Sequence, residues 1–158
     1  MKLFQFVLSC AALMPLGAWA APAPAWRDCP LARAVYRDAG LQGFTLEFSE
    51  SRQSPGLAAR LAQVTVRHAD KGIVSRWELS HGQGYGYGSF DLSDPASEDK
   101  GAHGVYAFDA KWAPLDAPHG AWLFVSGLGQ SNWYSKRPRA RDAPLVKDVM
   151  WVFERCVK

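Results

Sequence analysis

Cysteine, histidine and net charge are all in short supply in this chain, and each shortage narrows what it can be. There are three cysteines and four histidines in 158 residues, and the formal net charge is only +3. A balance so near neutral gives no reason to invoke nucleic acid or a charged membrane surface. His68, His81, His103 and His119 show no HExxH spacing, so no zinc site is predicted, and one would have to be assembled from distant loops. The phosphate-loop spacings GxxxxGK[ST] and GxGxxG are missing, and no cofactor is predicted. Val125-Ser126-Gly127 lacks the first glycine of a nucleophile elbow, and Asp91, Asp94, Glu98 and Asp99 lack the spacing of a calcium loop. No internal repeat or coiled-coil heptad is present.

Long apolar runs are equally scarce. The longest is Leu3–Leu13, which follows Lys2 and is soon broken by Pro15 and Gly17, too short to span a bilayer. With Ala18-Trp19-Ala20 as a small-x-small cleavage site, Met1–Ala20 reads as a secretory signal peptide. Val7-Leu8-Ser9-Cys10 has the look of a lipoprotein box, but cutting there leaves almost no apolar core before it. The predicted mature protein is then one exported domain, residues 21–158, periplasmic or secreted, with no integral membrane segment. Cys10 departs with the leader, leaving Cys29 and Cys156 near the two ends. In an oxidising compartment an isolated pair is expected to be joined. A bridge also leaves no lone thiol for nucleophilic catalysis.

What is present is patterned. Asp28 as N-cap, Leu31, Ala34, Val35 and Ala39 at helical spacing, and Gly40 as C-cap predict a short first helix. Phe44, Leu46 and Phe48 then alternate with polar residues as in a half-buried strand. Residues 61–68 and 73–80 flank Ala69-Asp70-Lys71-Gly72 as a hairpin, and 104–112 and 121–126 give two more strands. Ala121-Trp122-Leu123-Phe124-Val125 is apolar on both faces and is expected at the centre of a sheet. Residues 91–100 and 113–120 read as surface loops. Finally Asp142 caps a second helix, whose Leu145, Val146, Val149, Met150, Val152, Phe153, Cys156 and Val157 form one broad stripe, with Trp151 on the polar side as an exposed partner anchor. Helix, about six strands, helix predicts an α+β fold: an antiparallel sheet of five to six strands flanked by an N-terminal and a C-terminal helix that the disulfide would pin together.

Three stretches can carry binding. From His81 to Asp91, glycine takes every second position between Gly82 and Gly88. If extended, the segment projects His81, Gln83, Tyr85 and Tyr87 from one face, a row with rings to stack and polar tips to hydrogen-bond. Gly127–Tyr134, with Trp133 and Tyr134 at its end, follows the predicted central strand and would complete a site with that row, as strand-end connections often do. Lys136-Arg137-Pro138-Arg139-Ala140-Arg141 clusters cations before the last helix, so Arg137, Arg139 and Arg141 form a candidate anion site. The nearest approach to an acid/base set is His81, Asp91 and His103, residue types that more often sit solvated in loops. Taken together the residues favour a small exported, non-enzymatic binding protein for a partner protein or an anionic envelope component. A hydrolase acting on envelope polymers and a carbohydrate-binding module are the alternatives.

Overall fold

A computed structural model describes residues 26–51, 60–82, 90–95, 102–136 and 144–158. Among these residues a short 3-10 turn at Leu31–Arg33 is followed by nine strands: β1 (Ala34–Asp38), β2 (Phe44–Ser49), β3 (Arg60–His68), β4 (Gly72–His81), β5 (Phe90–Ser93), β6 (Ala102–Phe108), β7 (Pro114–Leu115), β8 (Trp122–Val125) and β9 (Met150–Cys156). One helix, α1 (Leu128–Lys136), lies between β8 and β9. The strands are antiparallel in the order β5-β4-β3-β2-β1-β9-β8-β6-β7, and the pairing of β5 with β6 closes eight of them into a barrel. The two-residue β7 extends the sheet from the far end of β6, at Ala107 and Phe108.

The α+β expectation is therefore overturned, and both ends of the chain show why. Ala34, Tyr36 and Asp38 point inward from β1 while Arg37 stays half-buried outside, a period of two in place of the predicted helix. Asp28 makes no cap; the 3-10 turn starts after Pro30. Gly40 ends no helix either. It belongs to the β1–β2 turn, in which Leu41 and Gly43 take positive φ of 53° and 86°. Asp38, only 2% exposed, accepts the backbone N–H groups of Gln42 and Phe44 at 2.7 and 2.8 Å and fastens that turn.

The second predicted helix is likewise a strand. A run apolar on both sides satisfies the helical and the extended period equally, and Met150-Trp151-Val152-Phe153 is rich in the branched and aromatic side chains that suit a pleated surface. As a strand it turns Trp151 inward at 1% exposure, so this Trp is no surface anchor. Residues 91–93, expected in a loop, belong to β5, and part of the 113–120 loop forms β7. The β3–β4 hairpin stands as expected, with Gly72 at φ 71°.

The inside of the barrel is packed with side chains. Trp151, Tyr36, Leu46, Leu79, Leu92 and Leu123 are each at most 1% exposed and sit with Phe44, Phe48, Trp77, Val105 and Phe153 in one cluster. Tyr36 meets Phe48 and Phe153 edge-on, with centroids 5.6 and 5.7 Å apart. Its hydroxyl donates to the Gly120 carbonyl at 2.9 Å and accepts the Gly120 N–H at 3.2 Å. Burial pushes the Tyr36 phenol well above its ordinary value, against that hydrogen bond. Gly120 has to be glycine, since a Cβ there would lie 2.4 Å from the Phe108 carbonyl oxygen. Cys29 and Cys156 are disulfide-bonded, with Cα atoms 5.6 Å apart across 127 residues of sequence, joining the turn before β1 to the end of β9. Among the described residues no helix is long and apolar enough to cross a membrane.

Candidate functional site

Eight strands make a barrel just wide enough for side chains to fill or for one small ligand to enter. Here the side chains fill it, so binding groups have to be sought on the outer wall and at the ends. On the paired strands β6 and β8, alternation sends Val105, Ala107, Leu123 and Val125 inside. The positions between them face out, and they are aromatic: Tyr106 pairs in register with Phe124, and Phe108 with Trp122. On the next strand, β9, Met150 stands beside Phe124 and Val152 beside Trp122. Tyr106 is 54% exposed and tilts against Phe124 at 6.3 Å.

Trp112 extends this wall from the turn after β6. Its ring stacks on Trp122 with centroids 4.5 Å apart and planes 19° from parallel, yet it remains 52% exposed. Its backbone has φ 68°, a left-handed conformation that is a true outlier for a bulky side chain. Asp109 imposes it. One carboxylate oxygen, Oδ1, accepts the N–H groups of Lys111 and Ala113 at 2.7 and 2.9 Å, and the Asp109 carbonyl accepts the Trp112 N–H at 3.1 Å. Those two N–H donors hold the Asp109 carboxyl below its ordinary range.

At the other end of β6 and β8 the wall opens into a cleft of about 480 Å³. Its lining comes from Ala102, His103, Ser126 and Gly127 and, on α1, Gln130, Ser131 and Tyr134. Tyr106 and Ser126 join wall to cleft: the Tyr106 ring and the Ser126 Oγ both reach within 3.3 Å of where a Gly104 side chain would begin. Glycine at 104 thus leaves room for the tyrosine to lie along the sheet. His103 packs edge-on against Trp77 at 5.1 Å, and its Nδ1 is 2.9 Å from the Ser126 carbonyl. A carbonyl only accepts, so Nδ1 is the donor in this bond. Helix α1 is pressed tightly onto residues 146–148. Asn132, 4% exposed, accepts the Val146 N–H at 3.1 Å, the Gly129 N–H reaches Asp148 at 2.7 Å, and a Cβ on Gly129 would strike the Asp148 backbone nitrogen at 2.5 Å.

The stretches singled out in the sequence fare differently. Gln83, Tyr85 and Tyr87 lie outside the described residues, as do Arg137, Arg139 and Arg141. His81 is exposed at the end of β4, tilted on Phe90 at 5.2 Å. Trp133 and Tyr134 are exposed on α1, where the sequence predicts a loop after the strand. Strand directions alternate around the barrel, so the β4–β5 connection leaves from the end opposite the β8–β9 connection that carries α1. His81 and Tyr134 therefore belong to opposite ends. Nor do His81, Asp91 and His103 converge. Asp91 sits between inward-facing Phe90 and Leu92 and turns outward, while His103 lies on the inward register of Val105. Among the described residues no three His, Cys, Asp or Glu side chains come together as a metal site.

The aromatic wall is what the sequence reading missed. Residues 121–125 do lie within the sheet, as β8 between β9 and β6, but both aromatics, Trp122 and Phe124, share its outward face, and that one-sided placement was the signal. No protein family model, no curated protein and no solved structure matches this chain, which leaves the geometry of wall and cleft to speak for its function.

Proposed function

We propose that this chain is an exported, non-enzymatic binding protein, acting in the periplasm or outside the cell, and that the outer wall of β6 and β8 with its adjoining cleft is its binding surface. The Cys29–Cys156 disulfide supports an oxidising compartment. The observation that carries the reading is Trp112. A left-handed backbone costs a side-chain-bearing residue about 1–2 kcal/mol that glycine would not incur, yet this turn holds a half-exposed Trp there. Strain kept at an exposed aromatic points to contact with something outside the chain. Tyr106, Trp133 and Tyr134, the other exposed aromatics among the described residues, lie on the same wall or on α1, whose Tyr134 lines the cleft.

A hydrolase is the weaker reading. His103 is the only titratable side chain besides Tyr134 on the described lining of the cleft, and no carboxylate stands with it to share acid/base work. The test uses a purified cell-envelope fraction immobilised on beads. Wild-type protein should be retained, and the double variant Tyr106→Ala with Trp112→Ala should wash through while keeping its circular dichroism. Equal retention of both would remove the wall as the binding surface. Mass spectrometry of the exported protein should find Ala21 at its N-terminus.

A further inference from the structure

We infer that the ligand of this surface is an uncharged polysaccharide, lying along the wall from Trp112 to the cleft beside α1; the inference rests on the binding reading above and names its ligand class. Sugar rings present faces of C–H groups that pack on aromatic rings, and edges of hydroxyls that both donate and accept. The wall and cleft supply both halves of that chemistry in order. Trp112, backed by the Trp122 ring on which it stacks, and Tyr106 offer ring faces. Ser126, Gln130 and Ser131 follow with neutral donors and acceptors. No hydrogen bond among the described residues uses the side chains of Gln130, Ser131 or Tyr134, so they are free to bind hydroxyls.

Charge argues against a polyanion. None of the described residues lining the cleft carries Lys, Arg, Asp or Glu, nor do the outward positions of β6 and β8. Polyanion sites need cations on the track itself. Two carboxylates border the track without lying on it: Asp91, outward on β5 opposite Gly104, and Asp109 at the Trp112 end, which is engaged with backbone N–H groups. Length is the second argument. From Trp122 to Ser126 the strand advances roughly 13 Å at about 3.3 Å per residue, and Trp112 and Tyr134 add to it at either end. The surface accommodates several linked sugars, not one, and the flat wall reads an extended chain while the cleft takes its end or a side group.

Isothermal titration with neutral hexasaccharides of glucose and of N-acetylglucosamine, and with the matching disaccharides, tests this. At least one hexasaccharide should bind and change tryptophan fluorescence. Trp112→Ala should weaken it more than tenfold, and Ser131→Ala with Tyr134→Ala severalfold, while disaccharide affinity falls only for Trp112→Ala. Failure of every neutral glycan to bind, with Tyr106→Ala and Trp112→Ala still abolishing retention on envelope protein, overturns the ligand class and leaves the wall standing. Preferential, salt-sensitive binding to polygalacturonate also overturns it. Indifference of both glycan and envelope binding to those variants brings down the wall as well.

Discussion

The inner and outer faces of β6 and β8 belong to the same residues of backbone and could hardly differ more in use. Inside, Val105, Ala107, Leu123 and Val125 are at most 4% exposed and contribute to one continuous core. Outside, Tyr106, Phe108, Trp122 and Phe124 carry a larger apolar surface that the fold leaves half open. Large side chains on the inside would overfill a lumen already occupied by Trp151, Tyr36 and Phe153. On the outside nothing limits their size, and under the proposed binding function burial there is deferred to a ligand. On that proposal stability and binding fall on opposite faces of two strands.

That division is open to attack from either side, and the inner face should give the largest effects. Replacing Cys29 with Ser releases a loop of 127 residues, for which chain entropy gives roughly 5 kcal/mol as an upper figure; urea unfolding of the variant and of reduced wild type should agree. Trp151→Ala removes a side chain 1% exposed and is expected to destabilise by about 3–5 kcal/mol, read as a lower urea midpoint. Leu123→Ala, fully buried on β8, should cost about 2–5 kcal/mol and yet leave binding by the surviving folded protein intact. If Leu123→Ala weakens binding beyond its loss of folded fraction, the two faces are not independent.

Smaller effects sharpen the contrast. Tyr36→Phe strips Gly120 of its hydroxyl partner and should cost about 1–3 kcal/mol, the range for leaving a buried backbone group unpaired. Trp112→Gly relieves a left-handed backbone while losing the stack on Trp122. Those terms oppose one another at about 1–2 and about 0.5–1.5 kcal/mol, so thermal stability should stay nearly constant while binding is lost. A large fall in melting temperature would mean that Trp112 is there for the fold.

The pH response is the mildest. Burial holds His119 below its ordinary value of 6.5, despite a hydrogen bond with the Cys29 backbone, and its Nδ1 has no partner. The unfolded chain therefore takes up the proton first. This contribution is fully present above 6.5 and is lost as pH falls below that value. His119→Phe should flatten a shallow decline in stability between neutral and mildly acidic pH, measured by denaturant titration.

Several parts of the fold could be read from the chain directly, because they depend on near neighbours. Alternation at Phe44, Leu46 and Phe48 gave β2, and the tetrapeptide ending in Gly72 gave the β3–β4 hairpin. Pairing of Cys29 with Cys156 followed from their number once a leader was inferred. The helices went wrong where local pattern was ambiguous. Residues 150–153 are apolar on both faces, and Gly129, which ought to weaken a helix, sits inside α1 because residues 146–148 approach too closely for any side chain. The wall stayed hidden because its two halves, 106–112 and 122–124, meet only through strand pairing.

Composition, spacing and turn chemistry by themselves determined that the middle of the chain is built of antiparallel strands and that Cys29 and Cys156 belong together, since these rest on interactions between adjacent residues or on simple number. Closure was decided elsewhere. The pairing of β1 with β9, which brings Ala34 opposite Cys156, and of β5 with β6 joins segments whose contact no local period encodes. Only once the barrel shut did every strand acquire an inside and an outside, and only then did an apolar strand such as β8 resolve into a core face and a row of rings open to solvent.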